Sequence, residues 1–518
     1  MKTKIACGLV GCVAALPLLG DAVKPGVEHP ASAERWGVFE IALDGPDAGY
    51  PYVEVSLGAT FTQGAVTKNV TGFYDGGSTY RIRFMPDALG VWSFTTKSSS
   101  PQLDGLRGSF TCTAPGAGNH GPMRVRDRHH FQYEDGTPFF HVGTTSYNWL
   151  NQNEALQKQT LQTLGQSGFN KLRFLIMPKY YDFNKEPPAI WPFEGAPKAW
   201  DFDRPNVAFF QNHDRGIRQL RDMGVEADLI LCNPYDGWGL KDIKDRPEQM
   251  DRYVKYVIAR FSAYRNVWWS MANEYQLWST DDTYWDALFQ VVRDNDPHGH
   301  LRSIHNMFQV YDHTKPWVTH ASLQEQSMDR HAPADFVMGM ARELRAKYGK
   351  PIVWDEVKYE GNLPTKPDYF WGRLKPEEMT MRFWKGTIDG TYVGHSETYQ
   401  HPENIIWWGK GGVLHGGSPA RIAFLRRLVE RHVPGQQLDP VEGDATAAHS
   451  GTACYLHYYG ESAASSRSFS LPAGHRYRAY VIDTWNMTQA DAGVHAGSFS
   501  LALPENLYMA VLLVQEGP

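Results

Sequence analysis

Two short runs carry a glutamate directly after a stretch of apolar residues: Trp268-Trp269-Ser270-Met271-Ala272-Asn273-Glu274 and Lys350-Pro351-Ile352-Val353-Trp354-Asp355-Glu356. Each run has the length of a strand and is dominated by apolar side chains, which predicts strands buried in a parallel sheet. A carboxylate that follows such a strand lies at the carboxyl edge of the sheet, where the functional groups of barrel folds collect. We therefore expect Glu274 and Glu356 to lie at the same edge of one sheet.

Strand and helix patterns alternate between residues 123 and 432. We predict strands at Phe139–Gly143, Lys171–Leu175, Ala227–Leu231, Val267–Met271, Leu301–Ile304, Trp317–His320, Ile352–Asp355 and Thr391–Gly394. Amphipathic helices are predicted between them, for example at Arg252–Tyr264 and Pro333–Tyr348. Eight such alternations predict an α/β fold, a (β/α)8 TIM barrel over residues 123–432. A doubly wound sheet is the rival, but no Gly-rich phosphate loop follows the first strand.

Alternating β patterns flank this region on both sides. Trp36–Ile41, Tyr80–Phe84 and Val91–Thr95, separated by turn residues, predict an N-terminal β-sandwich over residues 30–115. The breaker-rich stretch Ala114–Pro122 would link it to the barrel. Similar runs after residue 433 predict a small C-terminal β-sandwich over residues 435–518.

The first 22 residues resemble an export signal. Lys2 and Lys4 precede an uncharged apolar stretch from Ile5 to Gly20, which predicts a signal peptide at residues 1–22 and an exported protein, periplasmic or extracellular. The run Leu9-Val10-Gly11-Cys12 also resembles a lipoprotein cleavage site. Further apolar residues follow Cys12, so anchoring there is the less favoured alternative. We expect no membrane span, because the stretch is shorter than the roughly 20 residues required.

Composition excludes several partners. The formal net charge of −6 is spread without long runs, so we expect no binding to nucleic acid. The 17 Trp and 26 Tyr suit a carbohydrate surface, because flat rings combine apolar area with a polar edge. The cysteines show neither a disulfide framework nor a zinc spacing, and we expect no metal and no cofactor.

Two carboxylates at one rim suit hydrolysis of a glycosidic bond with retention of configuration. One carboxyl group protonates the leaving oxygen, and a second, roughly 5 to 5.5 Å away, attacks the anomeric carbon to form a glycosyl-enzyme intermediate. Strand ends around a parallel barrel hold groups at such a separation. An isolated Asn-Glu pair is also common at surfaces and helix caps, so this interpretation depends on the barrel around it.

The strand-four ending Asn273-Glu274 and the strand-seven ending at Glu356 resemble those of clan A glycoside hydrolases, the cellulase-like retaining (β/α)8 enzymes. The resemblance implies Glu274 as acid/base, Glu356 as nucleophile and Asn273 as a donor to the sugar 2-hydroxyl. Asn170-Lys171-Leu172-Arg173-Phe174 is similar to the clan's strand two, whose arginine supports the nucleophile. Arg173 would hold Glu356 ionised, because a neighbouring cation favours the charged carboxylate. An ordinary barrel salt bridge is the alternative for Arg173.

Other runs resemble the branch of this clan that contains apiosidases and uncharacterised relatives with an N-terminal β-sandwich. They are Glu356-Val357-Lys358-Tyr359-Glu360-Gly361, Gly394-His395-Ser396-Glu397-Thr398-Tyr399-Gln400, Gly72-Phe73-Tyr74-Asp75-Gly76 and Tyr80-Arg81-Ile82-Arg83-Phe84-Met85-Pro86. Apiosidase-type enzymes are expected to use an aspartate on strand four, where this chain has Asn273-Glu274, so apiose specificity is not implied. Strand six carries His320-Ala321-Ser322 where cellulase-like members often have His-x-Tyr. The tyrosine that usually steadies the nucleophile is therefore missing or is supplied from elsewhere.

Residues near the predicted strand ends are candidates for binding the sugar. Aromatic rings can stack on sugar faces and histidines can donate to hydroxyls. Besides Asn273 and Arg173, the candidates are Tyr147, Tyr235, Trp238, Trp407, His141, His305, His320 and Glu397. The structural alternatives are loop packing for the rings, core positions for the histidines and a buried ion pair for Glu397. Successive strand residues face opposite ways, so Asp355 is predicted to make structural hydrogen bonds outside the barrel lumen.

The sequence thus predicts a retaining glycoside hydrolase that cleaves O-glycosidic bonds in a plant-type or microbial glycan or glycoside. A catalytically silent carbohydrate-binding protein on the same barrel is the leading alternative, but a binder has no reason to keep both glutamates. A metal-dependent barrel hydrolase is the third, and no short histidine spacing supports it. The pattern indicates neither the particular sugar nor the oligomeric state.

Overall fold

The structure, a computed structural model, describes residues 27–325, 339–364, 371–403 and 405–517. The predicted signal peptide, with Cys12, and the first residues of the predicted helix Pro333–Tyr348 lie outside these ranges. Within them, no helix is both long enough and apolar enough to cross a membrane.

A parallel sheet of eight strands forms the centre of the molecule and confirms the predicted barrel. Its strands are β1 Gly143–Thr145, β2 Lys171–Leu175, β3 Glu226–Cys232, β4 Val267–Ala272, β5 Arg302–Ser303, β6 Ala321–Gln324, β7 Ile352–Glu356 and β8 Tyr392–His395. They are ordered β5-β4-β3-β2-β1-β8-β7-β6. A parallel bridge between His305 and Ser322 joins the two ends of this order, so the sheet curls into a nearly closed barrel.

Helices follow the strands and cover the barrel. They are α1 Glu154–Ser167, α2 Val207–Asp222, α3 Pro247–Phe261, α4 Asp282–Asn295, α5 Ala341–Tyr348, α6 Pro376–Ile388 and α7 Ser418–His432, with short helical turns at Pro51–Glu54, Trp149–Asn151, Leu240–Asp245, Tyr275–Leu277, Trp407–Lys410 and Pro434–Gln436. The local sequence determines where several of these helices begin and end. Asn153 caps α1 by accepting a hydrogen bond from the Leu156 amide, and Gly168 ends that helix with a φ of 84°.

A small antiparallel sheet closes the amino-terminal mouth of the barrel. It consists of Met123–Arg126, His130–Tyr133 and Pro138–Phe139. Phe131 of this sheet packs against Trp268 and His320, with ring centroids 4.9 and 5.7 Å apart. Aromatic side chains therefore fill the lower end of the barrel.

Two predicted strands are placed wrongly. Predicted strand one, Phe139–Gly143, lies too early, because Phe139 pairs with Phe131 in the small sheet and β1 begins only at Gly143. Predicted strand six, Trp317–His320, also precedes the observed strand β6. Both predictions favoured the more apolar neighbouring segment. The true strands carry hydroxyl and amide side chains whose partners lie inside the fold, which a hydrophobicity pattern does not reveal.

Two antiparallel sheets precede the barrel. One contains Val27–Glu28, Phe39–Asp44, Phe73–Tyr74 and Thr79–Phe84; the other contains Ser32–Glu34, Leu57–Gln63, Val66–Thr71, Gly90–Ser98 and Arg107–Thr113. Stacked rings join them: Phe39 lies 3.7 Å from Phe110, and Phe61 lies 4.2 Å from Phe84, between ring centroids.

Antiparallel strands also follow the barrel. A sheet of six contains Asp439–Pro440, Ala447–Ser450, Cys454–Tyr458, Arg476–Asp483, Thr488–Ala496 and Met509–Gln515, and a pair contains Ser466–Ser470 and Ser498–Ala502. Tyr458 of this sheet stacks on Trp384 of α6 at 5.3 Å. A hairpin of Phe193–Ala196 with Ala199–Pro205 and a short pair, Glu360–Gly361 with Glu397–Thr398, complete the strands.

A buried network of charges fastens the N-terminal sheets to the barrel. Arg83, on the strand Thr79–Phe84, donates to Asp214 of α2 at 2.5 Å, and Arg260 of α3 donates to Asp75 at 2.7 Å and to Asp214 at 2.6 Å. All four residues are buried. Two guanidinium groups thus share two carboxylates, and each charge has a partner where water is excluded.

Arg260→Leu should destabilise the protein strongly, because it removes the fully buried cation that Asp75 and Asp214 share and leaves Asp75 with the part-exposed Arg81. Loss of one partner of a buried ion pair costs about 3 to 5 kcal/mol. Arg252→Leu on the same helix is the matched control, since its partner Asp203 is part-exposed and such pairs contribute at most about 1 kcal/mol. Calorimetric melting temperatures would measure both effects. Equal shifts in the two variants would contradict the proposed importance of the network.

Candidate active site

The two glutamates lie at the carboxyl-terminal rim of the barrel. Glu356 is the last residue of β7, and Glu274 follows β4 by two residues. Gln324, the last residue of β6, connects them: it is paired with Glu356 in the sheet, and its amide, oriented to satisfy both its neighbours, donates to Glu274 Oε1 at 3.1 Å. Both glutamates are buried, at 6 % and 7 % exposure. The two carboxyl groups therefore share one enclosed site.

Glu274 occupies a strained backbone position and is buried. Its φ and ψ of 46° and 56° fall in the left-handed region, which disfavours residues with a Cβ and often marks functional sites. The Tyr235 hydroxyl donates to Glu274 Oε2. Burial, reinforced by the negative charge of Glu356, raises the pKa of Glu274 to about 7. Glu274 can therefore carry a proton near neutral pH.

Glu356 has the opposite character. Arg173 Nη1 lies 3.4 Å from its Oε1, and the Tyr147 hydroxyl donates to the same oxygen. Burial would raise the pKa of Glu356, but His305 in the protonated form it takes at low pH, Arg173 and Tyr147 outweigh burial and hold that pKa below its usual value. Tyr147 comes from the end of β1, so the tyrosine that contacts Glu356 is supplied by that strand end rather than by strand six.

A chain of polar contacts continues from Glu356 into the barrel. Burial and the charge of Arg173 lower the pKa of His305 to about 4, so its ring is neutral at pH 7. Ser322 donates to Asp355 at 2.5 Å, and His305 Nδ1 lies 3.0 Å from the Ser322 oxygen, which assigns the ring proton to Nδ1. His305 Nε2, 3.5 Å from Glu356 Oε1, is then left as an acceptor for a substrate hydroxyl.

The prediction that Asp355 faces away from the lumen is wrong. Asp355 accepts hydrogen bonds from Ser322 and from Lys171, whose Nζ lies 3.0 Å from Asp355 and 2.7 Å from Asp228. The sheet register shifts between Leu323 and Gln324, opposite Asp355. This irregularity breaks the strict alternation of side chains, so Asp355 and Glu356 both contact groups of the interior.

A lysine also lies in this pocket. Lys179 follows β2, is 3 % exposed, and places its Nζ near four rings: 3.9 Å from the centroid of Tyr147, 4.3 Å from Tyr235, 4.6 Å from Trp408 and 5.2 Å from Tyr181. Its charge acts on both Glu274 and Glu356. Burial, the largest influence, lowers the pKa of Lys179 to about 8.

The structure does not bring every predicted binding residue to this pocket. Asn273, Arg173, Tyr147, Tyr235 and His305 contact the two glutamates or one another there. His141 and His320 instead lie with Trp268 at the lower end of the barrel, with centroids 6.1 and 5.2 Å from that ring. Trp268 precedes Glu274 by six residues, which is about 20 Å of extended strand. Both histidines were misplaced because strands one and six begin later than predicted.

The two predicted tryptophans also lie elsewhere. Trp238 packs against Tyr180 and Trp191, at 5.1 and 5.2 Å between centroids, and stabilises a loop. Trp407 donates through Nε1 to Thr144 at 2.9 Å. Its neighbour Trp408 contacts Tyr147 at 5.6 Å and thereby borders the pocket. In the helical turn Trp407–Lys410 adjacent side chains face different ways, so the correct ring could not be chosen from the sequence.

Glu397 is a structural residue rather than a sugar ligand. It accepts hydrogen bonds from the amides of His415 and Gly416, and Glu360 accepts from those of Gly417 and Ser418. The pair therefore satisfies the amides that lead into α7. With His395 they form a buried group whose potential metal-binding atoms lie within 4.8 Å of one another. The positive end of the α7 dipole disfavours a cation there.

Comparison with solved structures identifies the class of protein. A protein from Bacteroides vulgatus described as a glycoside hydrolase is 36 % identical, with a TM-score of 0.87 over 94 % of this chain and all of that one. A family 5 glycoside hydrolase from the same species shares the fold at 14 % identity, with a TM-score of 0.59 over 76 % of this chain and 94 % of its own. The chain is therefore a glycoside hydrolase.

Family models narrow the assignment. Residues 125–412 match the apiosidase-like catalytic domain. Residues 32–99 and 444–514 match two domains of unknown function, DUF5060 and DUF5605. The chain therefore belongs to the apiosidase-like family of glycoside hydrolases. A search of curated proteins found no match.

Arg173→Lys should lower kcat/KM by roughly 10- to 100-fold, because an ammonium cannot reproduce the fork that holds Glu356, Asn273 and Tyr147 together. The weaker support raises the pKa of Glu356, so the acidic limb of the pH profile should move to higher pH. If Glu274 supplies the proton, the alkaline limb lies near the pKa of about 7 of that group and reports on the other carboxyl group.

Arg302→Lys is the control for this experiment, since Arg302 lies on β5 and donates only to backbone carbonyls. Its acidic limb should stay in place. A fully active Arg173→Lys enzyme with the wild-type profile would assign Arg173 to barrel stability alone.

Proposed function

We propose that this chain is a retaining glycoside hydrolase in which Glu274 is the acid/base and Glu356 the nucleophile. The observation that supports this most is the opposite direction of their pKa shifts within one site. A retaining enzyme needs one carboxyl group that holds a proton near neutral pH and another that stays ionised. A carbohydrate-binding barrel without catalysis gains nothing from this difference.

In the first step, the proton of Glu274 passes to the glycosidic oxygen as the bond from that oxygen to the anomeric carbon breaks. A carboxylate oxygen of Glu356 forms a new bond to the anomeric carbon, and the alcohol leaves uncharged. In the second step, the Glu274 carboxylate takes a proton from water, whose oxygen attacks the same carbon and releases Glu356. Two inversions restore the original configuration.

The surrounding groups orient the sugar. The carbonyl oxygen of Asn273 accepts a hydrogen bond from Arg173 at 2.9 Å and lies 3.0 Å from the Tyr147 hydroxyl. This fixes the amide so that its NH2 group is free to donate, which suits the sugar 2-hydroxyl beside the nucleophile. The buried ring of Trp408 lies against Tyr147 and Lys179 and shapes the wall of the pocket.

The substrate class and the cellular location are proposed from the composition of the chain and from its N-terminal pattern. The abundance of tryptophan and tyrosine in the chain supports a plant-type or microbial glycan or glycoside as substrate. The N-terminal pattern of lysines and apolar residues supports export to the periplasm or beyond. Expression of the full chain in a bacterial host, followed by fractionation and N-terminal sequencing, would locate the cleavage site if the signal operates.

Glu356→Ala should abolish turnover of aryl glycosides, and any azide product should have inverted configuration. Glu274→Ala should retain activity on substrates with good leaving groups, because these need little protonation as the bond breaks. Added azide should then accelerate it and yield a glycosyl azide of retained configuration. Proton NMR of the first product formed measures both outcomes.

Glu360→Ala is the comparison variant, since it removes a buried carboxyl group outside this pocket. It should show neither the leaving-group dependence nor the azide effect. If Glu274→Ala and Glu356→Ala respond alike to leaving group and azide, the two roles are assigned wrongly.

A further inference from the structure

The position of Lys179 beside Glu274 is unfavourable for an acid catalyst. Its positive charge favours the ionised form of Glu274, whereas the proposed reaction needs the protonated form. The lysine is also as deeply buried as the two glutamates, and removing an ammonium from water is unfavourable. Lys179 thus disfavours the protonated form of Glu274 and is itself costly to bury. Another interaction must account for its position in the pocket.

The contacts of Lys179 do not supply that reason. Its backbone is fixed, because its amide donates to Asn148 at 2.7 Å and its carbonyl accepts from Asn184 at 2.5 Å. Its Nζ, by contrast, has no hydrogen-bond or ion-pair partner among the residues that the structure describes. Glu356 already pairs with Arg173, and Glu274 is bonded to Tyr235 and Gln324. The ammonium is therefore held in place with its own N–H groups unused.

The rings around Lys179 explain how it remains charged. The faces of Tyr147, Tyr235 and Trp408 lie within 5 Å of Nζ and attract a cation. Such rings carry no net charge and leave the ammonium free to form an ion pair with a ligand. With Glu274 protonated and Glu356 balanced by Arg173, Lys179 is the unbalanced charge of the pocket.

We propose that Lys179 binds an anionic group of the substrate, so that the sugar cleaved at this site is an acidic one, a uronic acid or a sulfated sugar. This inference rests on the proposed function, because it places the sugar between Glu274 and Glu356. A carboxylate or sulfate on that sugar completes the ammonium's hydrogen bonds and neutralises the charge that otherwise weakens the acid. Neutral sugars leave that charge unmatched.

The test compares matched pairs of 4-nitrophenyl glycosides: glucuronide with glucoside, galacturonide with galactoside, and a 6-sulfated hexoside with its parent. The wild-type enzyme should prefer the acidic member of at least one pair. In Lys179→Met the ratio of kcat/KM for acidic over neutral substrate should fall roughly 10- to 100-fold, as for loss of one charge-assisted hydrogen bond. Because this ratio compares two substrates of the same enzyme, it cancels any effect of the substitution on the bond-breaking step that both substrates share.

Lys185→Met is the matched control, because Lys185 is an exposed lysine of the same loop, paired with Asp182 at 2.6 Å. It should keep the wild-type ratio. The pair that responds to Lys179→Met distinguishes a carboxylate from a sulfate. A wild-type preference for neutral sugars, or an unchanged ratio in Lys179→Met, would overturn the inference while leaving Glu356-dependent hydrolysis intact.

Calorimetric binding of the free acidic and neutral sugars provides a second measurement that needs no turnover. Acidic sugars should bind to the wild-type protein and lose affinity in Lys179→Met. If every glycoside resists hydrolysis but this binding pattern holds, the proposed hydrolysis fails and the acidic-sugar assignment stands. Equal binding of acidic and neutral sugars would overturn the assignment.

Discussion

Two carboxyl groups share one buried pocket and have pKa values shifted in opposite directions, and the polar groups of the barrel interior produce this difference. Arg173 is central to it, because its guanidinium contacts Glu356, Asn273 and Tyr147 at once. Below it, Lys171 lies between Asp228 and Asp355, so these aspartates have a cation of their own. Arg173 is thereby left to Glu356, while Glu274 has the Tyr235 hydroxyl and the Gln324 amide as its direct partners.

The outer parts of the molecule support this interior. The small sheet with Phe131 closes the lower mouth of the barrel, and the bridge from His305 to Ser322 closes its wall. The same two residues join Asp355 to the neighbourhood of Glu356, so barrel closure and the electrostatics of the site depend on one contact. The Arg83 and Arg260 network then fixes the N-terminal sheets against α2 and α3.

The sequence predicted those parts of the molecule that depend on long apolar patterns. The strands β2, β3, β4 and β7 are continuous buried runs, and the glutamates were found because each follows one of them. The strands β1 and β6 are short and polar, so hydrophobicity favoured the wrong segments and misplaced His141 and His320. The direction of the Asp355 side chain was predicted wrongly, because a local shift in the sheet register breaks the alternation of side chains.

Lys179 could not be identified in advance for a different reason. A lysine in a loop resembles a surface residue, and the apolar run that precedes Lys179 is accounted for by the buried strand β2. Its cage comes from the ends of β1, β2 and β3 and from the turn at Trp407–Lys410, which meet only when the barrel closes. Tyr147 likewise takes the place of a tyrosine expected on strand six. Residues from different strand ends can reach the same Glu356 oxygen, and the sequence does not show which of them does.

Trapping the glycosyl-enzyme intermediate tests the central claim most directly. The protein would be incubated with 2-deoxy-2-fluoro glycosides that carry an activated leaving group, then digested and analysed by mass spectrometry. The account predicts one sugar adduct on the peptide that contains Glu356, and none in Glu356→Gln. An adduct on Asp355 or Glu274, or turnover with inversion and no adduct, would contradict it.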